Sequence, residues 1–258
     1  MQITRAGRGR PLLLVHGLGS TSRAWNPILA GLITARREVI ALDLPGHNGI
    51  PAAADSGSFA GLARDLDALL DRERLAGIDM VGSSLGGQLV LEMARRGKAG
   101  ATVALDPGGF WAGGERSYAM TSLIASAQAL RAIRPMLPML ARMPLSRSGL
   151  LAQLSARPWA LDGGLVAGEL DAFAGATTLE ALAQDLARAP MQAGPAAGRS
   201  GPVSIGWGRH DRLCLPVQAE RAVAAFPSAR LHWFERSGHF PMWDEPTEAL
   251  ALILDATG

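Results

Sequence analysis

The stretch Ile78-Asp79-Met80-Val81-Gly82-Ser83-Ser84-Leu85-Gly86-Gly87 constrains this chain more than any other. It reads as a short buried strand that runs directly into a helix. The turn between them is a serine with glycine two positions before it and two after it. A residue at so sharp a turn holds a strained backbone conformation. Side chains at the two flanking positions would collide across the turn, and Gly82 and Gly86 remove them. The Ser84 hydroxyl then stands exposed, and the first amides of the helix point at whatever binds there. Ser83 offers a competing hydroxyl but lacks a glycine two positions after it.

A strand so placed needs neighbours on both sides. Pro11-Leu12-Leu13-Leu14-Val15, Val39-Ile40-Ala41-Leu42-Asp43 and Thr102-Val103-Ala104-Leu105-Asp106 are continuous apolar runs, as strands buried on both faces require. Ile3 fits a short edge strand. Helical spacing predicts helices through Trp25, Ile28, Leu29 and Leu32, and from Phe59 to Leu70 behind a Ser58 cap. A third carries Leu89, Val90, Met93 and Ala94 and stops at Gly97. Strands alternating with helices imply an α/β fold with a mostly parallel, doubly wound sheet and helices on both faces.

The rhythm breaks between roughly Ala112 and Gly201. That stretch has no clear strand, and prolines punctuate its Ala-, Leu- and Met-rich segments. Thr177-Thr178-Leu179-Glu180 reads as a capping box. Gly194-Pro195-Ala196-Ala197-Gly198 reads as an exit linker. The strands Val203–Trp207 and Leu231–Phe234 and helices from about Pro216 to Phe226 and from Glu245 onward resume the pattern. Residues 1–112 and 196–258 are thus expected to form a core, and residues 113–195 an inserted helical cap.

Composition narrows the function. A chain of 258 residues with 48% hydrophobic and 19% charged residues is globular. Its net charge is +2 without a basic stripe, which argues against nucleic acid as partner. Of 25 basic residues, Lys98 alone is a lysine, in a position that reads as the cationic end of a helix, so lysine-based chemistry has almost no candidate. Cys214 is the single cysteine, so no internal disulfide forms and no Cys/His metal cluster is expected around it. No apolar run approaches a membrane span, and the first residues lack an apolar core of signal-peptide length. The expectation is a cytoplasmic protein, monomer or homodimer, with no cofactor and no metal.

Five segments together resemble the α/β-hydrolase superfamily, serine esterases and lipases with a helical cap in particular. They are His16-Gly17-Leu18-Gly19, Asp43-Leu44-Pro45-Gly46-His47, Gly82 to Gly87, Trp207-Gly208-Arg209-His210-Asp211 and Gly238-His239. Ser84, Asp211 and His239 follow the chain order of nucleophile, acid and base in that fold. The resemblance implies that Ser84 attacks, His239 is the base and Asp211 orients it. It also implies an oxyanion hole made by the backbone amides of Leu18 and Leu85. Residue chemistry agrees: a serine hydroxyl needs an adjacent base, and histidine, with an ordinary pKa of about 6.5, can take and return its proton.

Alternatives compete at each position. Asp106 rivals Asp211, because some enzymes of this fold take the acid from the preceding strand. His16, His47, His210 and His232 read as solvated or structural. The chain also departs from relatives: Asn48-Gly49-Ile50 replaces the frequent Gly-x-Ser, and the Gly-Gly-x-Pro-Gly loop of many carbon–carbon bond hydrolases is absent. The implied activity is hydrolysis of a small or medium apolar ester. The rivals are a carbon–carbon bond hydrolase or acyltransferase with the same residues, and a binding protein that has lost turnover. The methionines Met120, Met136, Met139, Met143 and Met191, with Leu137, Leu140, Trp159 and Phe173, are expected to help form an apolar, adaptable pocket beside Phe110 and Trp111.

Overall fold

A computed structural model describes residues 1–195, 197–198 and 200–258. Its centre is a seven-stranded sheet in the order β1-β3-β2-β4-β5-β6-β7. The strands are β1 Gln2–Gly7, β2 Arg10–Val15, β3 Arg37–Asp43, β4 Asp79–Ser83, β5 Thr102–Leu105, β6 Val203–Gly208 and β7 Arg230–Phe234. Only β1 runs antiparallel, pairing with β3 from Gln2↔Asp43 to Gly7↔Glu38. The edge strand at Ile3 is therefore longer than its lone apolar residue suggests.

The continuous apolar runs follow from burial on both faces. Leu13, Val15, Ile40, Leu42 and Met80 enter one core with helices α2 (Phe59–Arg72) and α3 (Leu85–Arg95). Leu12, Leu14, Val39, Val81 and Val103 enter the other, against α1 (Asn26–Thr34). The Ser58 cap forms as expected, its hydroxyl accepting from the Gly61 amide at 3.0 Å. Lys98 lies three residues beyond α3 and pairs with Asp67 and Asp71 of α2.

Between β5 and β6 the described residues form helices and turns: α4 (Glu115–Ala132), α5 (Leu137–Leu140), α6 (Pro144–Leu150), α7 (Gly163–Gly175) and α8 (Leu179–Arg188). After β6 come α9 (Gln218–Ala225), α10 (Pro241–Asp244) and α11 (Pro246–Thr257). Residue 196, where the expected core boundary and part of the expected exit linker fall, lies outside the described residues. The capping box at Thr177–Glu180 does not form. Thr178 makes no side-chain cap, and its hydroxyl donates to the Pro45 carbonyl, while the Thr177 amide donates to Gly46. Glu180 pairs with Arg131 of α4. Tying α8 to the loop after β3 has displaced the local cap. Among the described residues no helix is long and apolar enough to cross a membrane.

A buried cation fastens the far end of the sheet. Arg37 donates to the carbonyls of Arg10, Pro11 and Thr257, to the Thr257 hydroxyl at 2.8 Å, and to Asp79 at 2.9 Å. It thereby ties β2, β4 and the end of α11 to β3. Removing one partner of a buried pair costs up to about 3–5 kcal/mol, and here Asp79 keeps the more exposed Arg10 at 3.0 Å, which places the loss at about 2–3 kcal/mol. Arg37→Ala should lose about that much stability in urea titrations. Arg64→Ala, which breaks an exposed pair with Asp55, should change it by less than about 1 kcal/mol. Equal effects would contradict this account of the sheet's fastening.

Candidate active site

The turn between β4 and α3 places Ser84 at φ 55° and ψ −118°, a left-handed conformation that non-glycine residues avoid. Backbone bonds hold it there: the Ser84 amide donates to Leu105 at 2.9 Å, and its carbonyl accepts from Gln88 at 3.0 Å and Gly108 at 3.1 Å. The flanking glycines are sterically required. A Cβ on Gly82 would lie 2.1 Å from the Gly86 carbonyl oxygen, and one on Gly86 would lie 2.1 Å from the Val15 oxygen. The loop after β2 also passes near, though less tightly, since a Cβ on Gly17 would stand 3.1 Å from Ser84 Cβ.

His239 approaches from the loop after β7. Its backbone amide donates to Leu154 at 2.9 Å, and its Nδ1 lies 2.8 Å from Asp211 Oδ2. The other Asp211 oxygen accepts from the amides of Leu213 at 2.8 Å and Cys214 at 3.0 Å. Both side chains are buried. His239 Nε2 has no hydrogen-bond partner among protein groups.

Ser84, His239 and Leu18 line one cavity of about 190 Å³. Leu123 and Leu130 of α4, Leu150, Leu151 and Leu154, Leu170 and Phe173 of α7, and Phe240 and Trp243 make its wall apolar. Leu85 lines a much smaller adjoining space together with Ser84, Leu18, Trp111 and Met120. The amide of Leu85 opens α3, where no carbonyl one turn back can receive it. A hydroxyl, an imidazole held at one nitrogen by a carboxylate, and backbone donors in an apolar cavity are the parts needed for nucleophilic acyl transfer.

Asp106 is closer to this constellation than a neighbour in packing. It is fully buried, at φ 44° after β5, and its Oδ1 accepts from the Gly208 amide at 2.8 Å. Burial, then the Asp211 carboxylate beside it, push its pKa well above the usual carboxylate range. Two carboxyls thus share one buried space, and the crowding disfavours charge on Asp106.

The other histidines sort by surroundings. His16 bonds the Gly17 carbonyl through Nδ1 at 2.8 Å and accepts from the Leu44 amide at Nε2. Burial lowers its pKa, and that of His47 falls to about 3, by burial first and then His16. Both are neutral struts beneath the loops. His210 is exposed, and His232 meets Glu248 at the surface.

Three expectations need correction. The methionines do not make the wall: Met136, Met139, Met143 and Met191 are each about half exposed, and only Met120 is buried. Leu137 and Ala141 take the inward face of the turns that carry the first three, so those methionines point outward. Trp159 is also exposed, and Phe110 packs edge-on to Phe226 in the core instead of on the cavity. Finally, the fold does bring donor atoms of Cys214, Asp211 and His239 within 4.8 Å of one another. That set suits a metal poorly, because burial holds the thiol pKa well above its usual value and both Asp211 oxygens already accept hydrogen bonds.

Two residues escaped sequence reasoning. Asp244 accepts from the Ser155 hydroxyl at 2.5 Å and from the amides of Ala156 and Gly238 at 2.8 Å each. It ties the His239 loop to the segment after α6, through partners far apart in the chain. Glu169 of α7 lines the cavity, 6% exposed. A signal existed for it, since positions 166, 169, 170 and 173 share one helical face and three of them are apolar.

The sequence profile of the alpha/beta hydrolase family matches residues 12–252. An uncharacterized protein of Mycobacterium tuberculosis is 31% identical, over 96% of this chain and 75% of its own. The 2-hydroxy-6-oxononadienedioate/2-hydroxy-6-oxononatrienedioate hydrolase 1 of Dechloromonas aromatica is 29% identical, over 95% and 85%. Among solved structures, an esterase from Exiguobacterium antarcticum superposes with a TM-score of 0.78, at 16% identity and over 99% of this chain and 94% of that one. At such identity the likeness speaks for the fold alone.

The turn's packing is open to test. Gly82→Ala forces a Cβ into the Gly86 backbone and should lower the melting temperature by several degrees. Gly168→Ala, inside α7 with nothing within 4 Å of the new methyl, should leave it unchanged or raise it. A tolerated Gly82→Ala in thermal unfolding would mean that the turn has more room than these distances allow.

Proposed function

The chain belongs to the alpha/beta hydrolase family, and from that premise we propose that it cleaves small or medium apolar carboxylic esters through an acyl-enzyme on Ser84. One observation carries the reading: Ser84 and His239 line the same apolar cavity, with Asp211 on the far nitrogen of the imidazole. In the proposed reaction His239 Nε2 takes the hydroxyl proton as Ser84 Oγ attacks the ester carbonyl. The amides of Leu18 and Leu85 receive the oxyanion, each worth roughly 2.7–4 kcal/mol in the transition state. The imidazolium then protonates the leaving alcohol. A water activated by the same nitrogen splits the acyl-enzyme and restores Ser84. Residues 113–195 act as a cap that supplies the apolar wall and excludes bulk water.

The Dechloromonas relative favours a second reading, cleavage of a carbon–carbon bond. By its name that enzyme acts on a dienedioate, which carries two carboxylates. Among the described residues neither arginine nor lysine lines the cavity to receive them, and Glu169 does. Charge therefore favours the ester.

A nitrophenyl ester series from acetate to dodecanoate tests the proposal. Each methylene buried contributes about 0.8 kcal/mol, so kcat/KM should rise from acetate, peak at medium length and fall once the cavity is full. Ser84→Ala should lose about 10⁴-fold or more in kcat while remaining folded. Turnover of ring-cleavage diketones with none of any ester would move the assignment to carbon–carbon hydrolysis.

The two aspartates give a separate prediction. Asp211→Asn leaves His239 with the wrong tautomer and should cost about 10⁴-fold. Asp106→Asn keeps an acceptor oxygen for the Gly208 amide and leaves the Asp211–His239 bond in place, and should cost less than about tenfold. The opposite ranking in kcat/KM of folded variants would make Asp106 the catalytic acid.

A further inference from the structure

Glu169 is out of place in its wall. The face of α7 that meets the cavity is otherwise Leu170 and Phe173, and the opposite walls are mostly leucine, Phe240 and Trp243, with the uncharged polar side chains of Ser126 and Gln153. Burying a carboxyl among such groups is costly unless something holds it. Its Oε2 accepts from the Ser20 hydroxyl at 2.5 Å and its Oε1 from the Thr21 hydroxyl at 2.7 Å. Ser20 and Thr21 continue the loop whose Leu18 is the proposed oxyanion donor, so the carboxyl stands beside the reacting centre of the proposed mechanism.

These hydroxyls could mean a latch between α7 and the loop. A latch needs only neutral acceptors, and α7 could supply them without ionisable chemistry in the cavity. A carboxylate also has about four acceptor positions, more than the hydroxyls occupy. Glu169 lines a cavity to which the described residues bring no arginine or lysine.

The charge itself is finely poised. Burial raises the Glu169 pKa to about 7, against the hydrogen bonds from Ser20 and Thr21, and Asp43 at the end of β3 raises it further. The other titratable groups around it are few. His239 lines the same cavity. Arg23 and Asp162 border an outer cleft that shares Glu169 and Trp243 with it. α4 and residues 149–154 bring no titratable side chain to the lining.

We propose that Glu169 is the specificity-determining residue of the cavity. It admits neutral esters, favours esters whose chain ends in a hydrogen-bond donor such as a hydroxyl or ammonium, and rejects esters that carry a carboxylate. The proposal rests on the reading of Ser84 as the nucleophile of an ester hydrolase.

The test is a set of methyl esters of a six-carbon acyl chain ending in methyl, hydroxyl, ammonium or carboxylate. A matched set carries the same groups on the alcohol side. Acid release is followed for the wild type and for Glu169→Gln across about pH 5.5 to 8.5, a range in which a substrate carboxylate stays ionised. Ratios of kcat/KM cancel whatever titration of the catalytic base the substrates share. Because Glu169 gains charge as pH rises through about 7, the wild-type preference for the methyl-ended over the carboxylate-ended ester should grow with pH. An increase of about tenfold is expected, mainly in KM. In Glu169→Gln the ratio should be independent of pH, and the preference for hydroxyl and ammonium chains should fall. A purely structural latch would change the melting temperature and leave these ratios alone.

A pH-independent wild-type ratio in both sets, with the methyl-ended ester well hydrolysed, overturns this proposal alone. So does a Glu169→Gln protein that keeps the wild-type ratios. Should that variant fail to fold, the wild-type pH dependence still decides. Failure of the wild type to cleave any ester would overturn the ester reading and this proposal with it.

Discussion

The site depends on one steric constraint: a strand must become a helix within a single residue. Ser84 makes that change at φ 55°, with the two flanking glycines in backbone contact across the turn. The turn sets the hydroxyl at the end of β4, on the wall of the apolar cavity, where α3 begins. Parallel neighbours on both sides of β4 then decide what can reach it. The loop after β2 passes beneath, and the loops after β6 and β7 bring Asp211 and His239 from the other side. Ligand sites at strand ends in open α/β sheets follow from this geometry.

Around that turn the protein concentrates carboxyls where solvent cannot neutralise them, and each is managed differently. Asp211 is held by two amides and an imidazole. Asp106 is pushed toward its neutral form by burial and by Asp211. Glu169 is raised to about 7 by burial while two hydroxyls favour its charge. Carboxyls with such different partners allow one small volume to hold an orienter and, in the proposal, a selector. In the proposed mechanism only Asp211 must stay ionised. Its partner amides lie within three residues of it, so the loop that presents it also stabilises its charge.

The strands were legible because burial on both faces leaves a continuous apolar run that no other local pattern produces at that length. Ser84 was marked by its flanking glycines, and the resemblance to the α/β-hydrolase family named Asp211 and His239, which the fold brings within 2.8 Å of each other. The helical segment was legible as helix and misleading in its detail. Period 3.6 identifies a face but not which face turns inward, so Met136, Met139 and Met143 were assigned to a wall they do not form. The capping box failed for a similar reason, since the carbonyls of Pro45 and Gly46 draw on Thr178 and Thr177 from a distant loop. Asp244, Asp106 and Glu169 owe much of their settings to distant partners, from Ala156 and Asp244 at a separation of 88 to Ser20 and Glu169 at 149. Local pattern carries no record of such pairs.

The central claim is that the strained turn presents an activated serine. Treatment of the folded protein with a fluorophosphonate, followed by peptide mass spectrometry, tests it without knowledge of the natural substrate. The account predicts a single adduct on Ser84, formed rapidly and abolished by prior unfolding. No adduct, or an adduct on another serine with Ser84 unmodified, would contradict it.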